Sequence, residues 1–316
     1  MKSTVVPFPT IARWLAILSL TAVATGVAVN FRYPYLMDFL SYWAAANLSV
    51  SGRAGDAYDV SLHHAVQEQV FAFHTRMPFA YPPPYLLVIL PFGLFPYWFA
   101  ASIWIGATLS LYVAAVRRWM PDFIAAAIAF PPVAICGIVG QNGLLTAALF
   151  IGGMSAFAKQ PFVAGAILGS LVIKPQLGLL LPLAFVAGRE WRAFAGAAST
   201  VVGLVLLSLL AFGPAPWQGF YNMTGLVGSI TTEGLVGWYK MASVFASLRL
   251  AGVPEPIALA LHAACATLAA TLVWRLWRKS SDGLTRAAIL APASALVSPY
   301  LYLYDQIVLI VSFYWL

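Results

Sequence analysis

Three carboxylates, Asp38, Asp56 and Asp59, fall in the stretch MDFLSYWAAANLSVSGRAGDAYD that starts at Met37, directly after the first long apolar run. A carboxylate at the edge of a membrane is costly against lipid, and useful where it faces a water-filled cavity holding a polar headgroup. The two aspartates of Asp-Ala-Tyr-Asp (56–59) read as a turn acid and a helix cap. They offer too few oxygen ligands for a Ca²⁺ or Mg²⁺ site, so no metal site is expected. Asp38 precedes an apolar helical run (Phe39, Tyr42, Trp43, Ala46), as an N-cap would. It also stands where a capping serine would cost less to desolvate, which leaves a chemical role open to it. Much later, Lys174 ends an apolar segment and is followed at once by Pro175, which stops the helix. Such a lysine either snorkels to the interface or presents its cation to a phosphate.

The elements that must position these residues are membrane helices. The chain is 62% hydrophobic and 9% charged, against about 25% charged residues in a soluble domain. The reading is an all-α polytopic bundle, a single unit over residues 1–316. A net charge of +7 does not point to nucleic acid here, because the cations are scattered in ones and twos at span ends. Cys136 and Cys265 lie in apolar segments without a CxxC or histidine partner and read as packing residues. Residues 11–31 are long enough to cross a ~30 Å hydrocarbon core, and are expected to stay as an anchor rather than be removed as a signal peptide. Further spans are expected at 97–116, 122–139, 142–158, 161–173, 176–187, 193–212, 256–274 and 285–297. With the run 306–316 they make about ten. That last run is too short to finish a crossing, so the natural chain is expected to continue, or this one to be a shortened variant.

With Lys2 and Arg13 placed in the cytoplasm, Arg117, Arg118, Lys159, Arg189, Arg192 and the 275–286 cluster fall on the same side. Residues 32–81 then form a structured outer loop. Its first helix opens at Asp38 and is broken at Gly52 and Gly55; a second, VSLHHAVQEQVFAF (60–73), is capped by Asp59 and lies flat at the interface. After Tyr-Pro-Pro-Pro (81–84), the run Tyr85 to Phe95 is too short to cross and reads as an interfacial or re-entrant half-helix. A second outer loop, 213–241, is rich in aromatics suited to a headgroup-level belt or a sugar platform. On this topology Asp38, Asp56, Asp59, His63, His64, Gln141, Asn142, Lys174, Gln176, Glu233, Lys240 and Asp305 share one membrane face, where short hairpins such as 161–173 make a cavity plausible. His63 and His64 read as interfacial polar residues, and His262 as hydrogen-bonded to a neighbouring helix.

Six tracts occur in order: Asp38-Phe39 after the first span, Gly-Arg…Asp-Ala-Tyr-Asp (52–59), Tyr-Pro-Pro-Pro (81–84), Gly-Gln-Asn (140–142), Lys-Pro-Gln (174–176) and Ser-Pro-Tyr…Tyr-Asp (298–305). With them, over about residues 11 to 312, the chain resembles glycosyltransferase family 87, membrane enzymes of the GT-C superfamily similar to the polyprenyl-phosphate-mannose-dependent mannosyltransferases. Family members usually continue with further helix at the C-terminus. The resemblance implies a bundle of GT-C type whose first outer loop holds the catalytic acid, here Asp38. It implies donor binding by Lys174, Gln141 and Asn142, with Tyr81, Gln176 and Asp305 as further substrate contacts. The implied donor is a hexose, mannose first, on a polyprenyl phosphate, with no further cofactor. The acceptor is a lipid or glycan, and transfer occurs on the extracytoplasmic face of the inner (plasma) membrane. A hydroxyl deprotonated by Asp38 would displace the phosphate with inversion; retention would need a second nearby carboxylate, which Asp305 could supply.

Two other classes fit the composition. A flippase or transporter of polyprenyl-linked sugars would carry mid-span charges and often an internal repeat. No repeat is visible, and the ionisable groups gather at one face. A non-catalytic envelope-assembly protein would tolerate an inert loop.

Overall fold

The computed structural model describes residues 8–32, 38–71 and 77–316. Lys2, Met37, Arg76 and the end of the expected helix at 72–73 lie outside the described residues. Regular structure among the described residues is helical, apart from an isolated antiparallel bridge between Met241 and Tyr302.

Helix α1 (Phe8–Arg32) precedes the segment expected to form the first outer loop. There α2 (Phe39–Val50) is apolar all round and buried along nearly its whole length, so it is a core element of the bundle. Gly52, at φ +74°, turns the chain, and a 3₁₀ turn (Ala54–Tyr58) leads to α3 (Val60–Glu68), shorter than the expected helix. α4 (Pro84–Ile89) continues as the 3₁₀ turn Leu90–Leu94, the short half-helix that the prolines predict. Gly93 packs on the C-terminal half of α2, where a Cβ would sit 2.5 Å from Ala46. Phe39 is the centre of an aromatic core, with Tyr42, Phe92 and Trp104 rings 5.8–6.1 Å away.

The bundle follows with α5 (Tyr97–Trp119), α6 (Ile124–Ala129), α7 (Pro131–Val139), α8 (Gly143–Ala156), α9 (Pro161–Gly169), α10 (Pro175–Gly178), α11 (Leu181–Gly188) and α12 (Trp191–Phe212). The break between α6 and α7 bends the path by 62°. Its cause is Pro131-Pro132, which forces Phe130 out of the helical region, to ψ 119°. Close approach of α9 to α12 rests on Gly165 and Gly169 four residues apart, facing Ala193, Gly196 and Ala197. A Cβ on Gly169 would lie 2.6 Å from the Ala197 carbonyl. α12 leaves Leu210 84% exposed, together with Leu206 and Leu207, as a lipid-facing helix does.

Within 213–241, the segment expected to form a second outer loop, lies an 18-residue helix, α13 (Ala215–Thr232). α14 (Val244–Leu250), α15 (Glu255–Lys279), α16 (Gly283–Val297), the 3₁₀ turn Leu303–Leu309 and α17 (Ile310–Trp315) complete the chain. Among the described residues four helices are long and apolar enough to cross a membrane: Pro9–Asn30, Tyr97–Trp119, Trp191–Phe212 and Glu255–Lys279. The bent α6–α7 pair makes five if it is counted as one span. The other expected spans are apolar helices of 10–17 residues.

Candidate active site

The turn between α7 and α8 is the hub of the site. Gly140 ends α7 in the left-handed region (φ +69°), and Gln141 N donates back to the Cys136 carbonyl at 3.1 Å, the usual helix-stopping arrangement. A Cβ on Gly143 would overlap the Tyr304 carbonyl, so only glycine lets the 303–309 turn press against the start of α8. Trp104 Nε1 fixes the Gly140 carbonyl at 2.9 Å. Gln141 and Asn142, between these two glycines, are both buried.

Asp38 and Asp59 both stand at the N-cap position of a helix, yet they behave differently. An N-cap side chain reaches the first amides from extended backbone. Asp59 (φ −86°, ψ 116°) does so, accepting from Ser61 N and Leu62 N at 2.9 Å each. Asp38 is already helical (φ −62°, ψ −22°), and its carboxylate caps nothing. Instead its Oδ2 accepts from Gln141 Nε2 at 2.9 Å. Gln141 Oε1 accepts from the Tyr42 hydroxyl and, at 3.1 Å, from the Tyr81 hydroxyl; the two hydroxyls are 2.8 Å apart. Since Oε1 is held by donors, the amide nitrogen must face the carboxylate. Burial pushes the Asp38 carboxyl above its ordinary pKa, while the Gln141 hydrogen bond and then the Lys240 and Lys174 charges pull it back.

Lys174, before Pro175, has its backbone outside the helical region (φ −144°, ψ 73°), the region a following proline disfavours. It does not snorkel: only 3% exposed, its Nζ pairs with Asp305 Oδ1 at 2.5 Å and donates to Asn142 Oδ1 at 2.9 Å. The Tyr304 ring lies 5.1 Å from the ammonium and the Tyr81 ring 6.0 Å. Asn142 Nδ2 and Asp305 Oδ2 are buried without a hydrogen-bond partner. Of the residues singled out in the sequence, Asp38, Gln141 and Tyr81 thus form one network and Asn142, Lys174 and Asp305 another. Tyr81 and Lys174 touch both. Gln176 is half-buried, and no side-chain hydrogen bond links it to either among the described residues.

Sequence reasoning gave no role to two members, Tyr42, read as part of an apolar run, and Lys240, placed on the shared face without a function. Tyr42 lies one helical turn after Asp38, a spacing that puts both on one face of α2. Lys240 closes an exposed turn (Trp238–Lys240) flanked by Gly234 and Gly237, both at positive φ. The strand-like pairing of Met241 with Tyr302 and the bond from Ala242 N to the Leu301 carbonyl at 2.7 Å hold that turn beside the site. No carboxylate pairs with Lys240 among the described residues.

Other residues have structural roles. Asp56 pairs with Arg53 at 2.7 Å. His63 corrects the interfacial reading: it is 1% exposed, with Nε2 3.0 Å from the Ser41 carbonyl and Nδ1 3.1 Å from Gln67 Nε2. α3 packs this histidine onto α2, while Ser61, Leu62, Ala65 and Glu68 on its other face stay exposed. Burial lowers its pKa to about 4. His262 Nε2 reaches the Val297 carbonyl of α16 at 3.3 Å, the expected interhelical bond. Among the described residues no group of three histidine, cysteine or acidic side chains is placed to hold a metal ion.

Residues 79–299 match Glycosyltransferase family 87. The chain belongs to that family. The match contains Tyr81, Gln141, Asn142, Lys174 and Gln176, while Asp38 and Asp305 lie outside its limits. No curated protein and no solved structure matches the chain. Membership in a glycosyltransferase family, together with the apolar helices, makes this a membrane protein with glycosyltransferase chemistry.

Proposed function

We propose that this family 87 member is an inverting hexosyltransferase that takes its sugar, mannose first, from a polyprenyl phosphate. The acceptor is a lipid or glycan hydroxyl, and the site faces the extracytoplasmic side of the inner (plasma) membrane. In this reading the bundle is of GT-C type with about ten membrane passages, the shorter apolar helices supplying those beyond the long spans. The observation that carries the reading is the Asp38 carboxylate: it stands at a helix start without capping it, half-buried and held by a neutral amide at 2.9 Å.

Asp38 takes the proton of the acceptor hydroxyl as that oxygen attacks the anomeric carbon. The bond from that carbon to the phosphate oxygen breaks on the opposite face, and the polyprenyl phosphate leaves with the electron pair. General-base assistance of this kind is worth typically about 10²–10⁴-fold. The leaving phosphate gathers charge, which a cation stabilises. Lys174 is committed to Asp305, so Lys240 is the ammonium available to meet it. Asp305, held by Lys174, is poorly placed to act as a second nucleophilic carboxylate, which favours a single displacement. The unpartnered Asn142 Nδ2 and Asp305 Oδ2 suit the donor and acceptor faces of sugar hydroxyls.

The test is incubation of the reconstituted chain with polyprenyl-phosphate-mannose and candidate acceptors, with the anomeric configuration of the product read by NMR. Asp38→Asn should keep the fold and lose turnover by about 10²-fold or more. A folded Asp38→Asn protein with near-parental turnover moves the base elsewhere.

A further inference from the structure

The hairpins that gather Gln141, Lys174 and Asp305 at one end of the bundle leave the turns after α8, α11 and α15 at the other. There a cavity of about 290 Å³ opens, lined by Gly188, Arg189, Trp277, Arg278, Lys279 and Arg286. Positive charge exceeds negative in it, and the two neighbouring carboxylates are already engaged. Glu190 Oε1 accepts from Arg286 Nη1 at 2.5 Å. Asp282 Oδ2 accepts from Thr285 N at 2.7 Å and caps α16. Arg286 also donates to the Ser280 carbonyl at 2.7 Å and the Trp277 carbonyl at 3.2 Å, so it braces the wall. Arg189, Arg278 and Lys279 remain exposed, with no carboxylate paired to them among the described residues.

The backbone adds an independent observation. Arg189 is the sole non-glycine at positive φ among the described residues (56°), at the position after α11 where glycine is usual. The bond from Glu190 N to the Phe185 carbonyl at 2.8 Å closes the helix stop around it. An L-residue there is strained, and strain of this kind persists where a side chain is needed in place. The residue before it has no side chain to obstruct: a Cβ on Gly188 would meet Arg286 Nη2 at 3.1 Å and the Trp277 ring at 3.3 Å. The level is that of a membrane surface, because the spanning helix α15 ends at the cavity and Trp191, at the start of α12, is 60% exposed beside it.

We infer that this cavity binds a phosphate-bearing anion, and its place at the end of a spanning helix favours the headgroup of an acidic phospholipid as the source. Arg278 and Lys279 supply charge from the last turn of α15, and Arg189 supplies it from its strained turn. The site lies at the end of the bundle away from Asp38, and the inference is independent of the transfer reaction.

The test uses the full chain, purified in detergent and stripped of lipid. Native mass spectrometry compares retention of dioleoyl phosphatidylglycerol and dioleoyl phosphatidylcholine; a parallel melting curve compares inorganic phosphate with chloride at equal ionic strength. Arg189→Gly removes the cation while keeping the left-handed turn, so its lipid-free melting temperature should equal or exceed the parent's. It should lower phosphatidylglycerol retention about fivefold, and adding Arg278→Gln about 25-fold. Lys159→Gln, at the same end but outside this cavity, should leave retention unchanged. Stabilisation by phosphatidylglycerol alone identifies the lipid as the source, and stabilisation by inorganic phosphate identifies a soluble phosphoanion; either supports the site. Equal retention of the two lipids with no phosphate effect overturns the inference. So does an equal loss in Lys159→Gln and Arg189→Gly, which would mean that the cations act only as a diffuse surface charge.

Discussion

Gln141 donates its side-chain amide to Asp38 at 2.9 Å, and its own carbonyl is held by the hydroxyls of Tyr42 and Tyr81. The amide is therefore a positioning group with a fixed direction. It stabilises the ionised form of a carboxyl that burial alone would keep protonated to higher pH.

Removing that hydrogen bond should raise the Asp38 pKa further. A base must be ionised to act, so the acidic limb of kcat/KM should move to higher pH in Gln141→Ala, with kcat reduced at neutral pH. Tyr81→Phe, which leaves the amide and one tyrosine, should move it less. If Gln141 touched only substrate, KM would rise and the limb would stay in place; a pH–rate series on the three proteins separates the two outcomes.

The Lys174–Asp305 pair calls for a stability measurement before any activity is interpreted. Either single replacement, Lys174→Ala or Asp305→Ala, leaves a buried charge without its partner and should destabilise the protein by about 3–5 kcal/mol. The double change Lys174→Met/Asp305→Leu should return melting close to the parent's. A double variant as unstable as the singles would mean that the pair does more than neutralise itself.

Lys240 should behave in the opposite way. It is exposed and has no carboxylate partner among the described residues, so Lys240→Ala should leave the melting temperature unchanged, raise KM for the donor about tenfold or more, and weaken the salt dependence of that KM. Lys240→Arg should keep part of the effect, since charge persists with altered geometry. An unchanged donor KM in Lys240→Ala would return the phosphate to Lys174.

His63 gives the outer loop a pH dependence of its own. With a folded pKa of about 4 against ~6.5 unfolded, the unfolded chain binds more protons between those values. Stability is therefore full above pH 6.5, falls as pH drops towards 4 and levels off below. The shift corresponds to about 3 kcal/mol. Melting curves between pH 7.5 and 4 should show this slope for the parent and a flatter one for His63→Gln.

Much of this arrangement could be read from the sequence. The shared face of Asp38, Gln141, Asn142, Lys174 and Asp305 followed from where short hairpins must turn, and the order of the tracts pointed to the family. Sequence read Asp59 as a cap but left Asp38 between a cap and a chemical role. Both precede an apolar helical run, and only ψ, −22° against 116°, decides which carboxylate reaches its own helix. Nor could it pair Lys174 with Asp305: a lysine before a proline looks the same whether it snorkels or meets an acid 131 residues later. The α9–α12 contact at Gly165 and Gly169 was not read from the sequence, because spacing of small residues does not name the partner helix. The long α13 was hidden because its glycines and polar residues resemble a loop.

The two long-range bonds of the site also set an order of events at the ribosome. Gln141 is made 103 residues after Asp38, and Asp305 131 residues after Lys174. At about 5–20 residues per second, Asp38 waits roughly 5–20 s for its amide. Lys174 waits roughly 7–26 s for its counter-charge. Closure of the buried Lys174–Asp305 pair therefore waits on synthesis of the 303–309 turn, which carries Asp305.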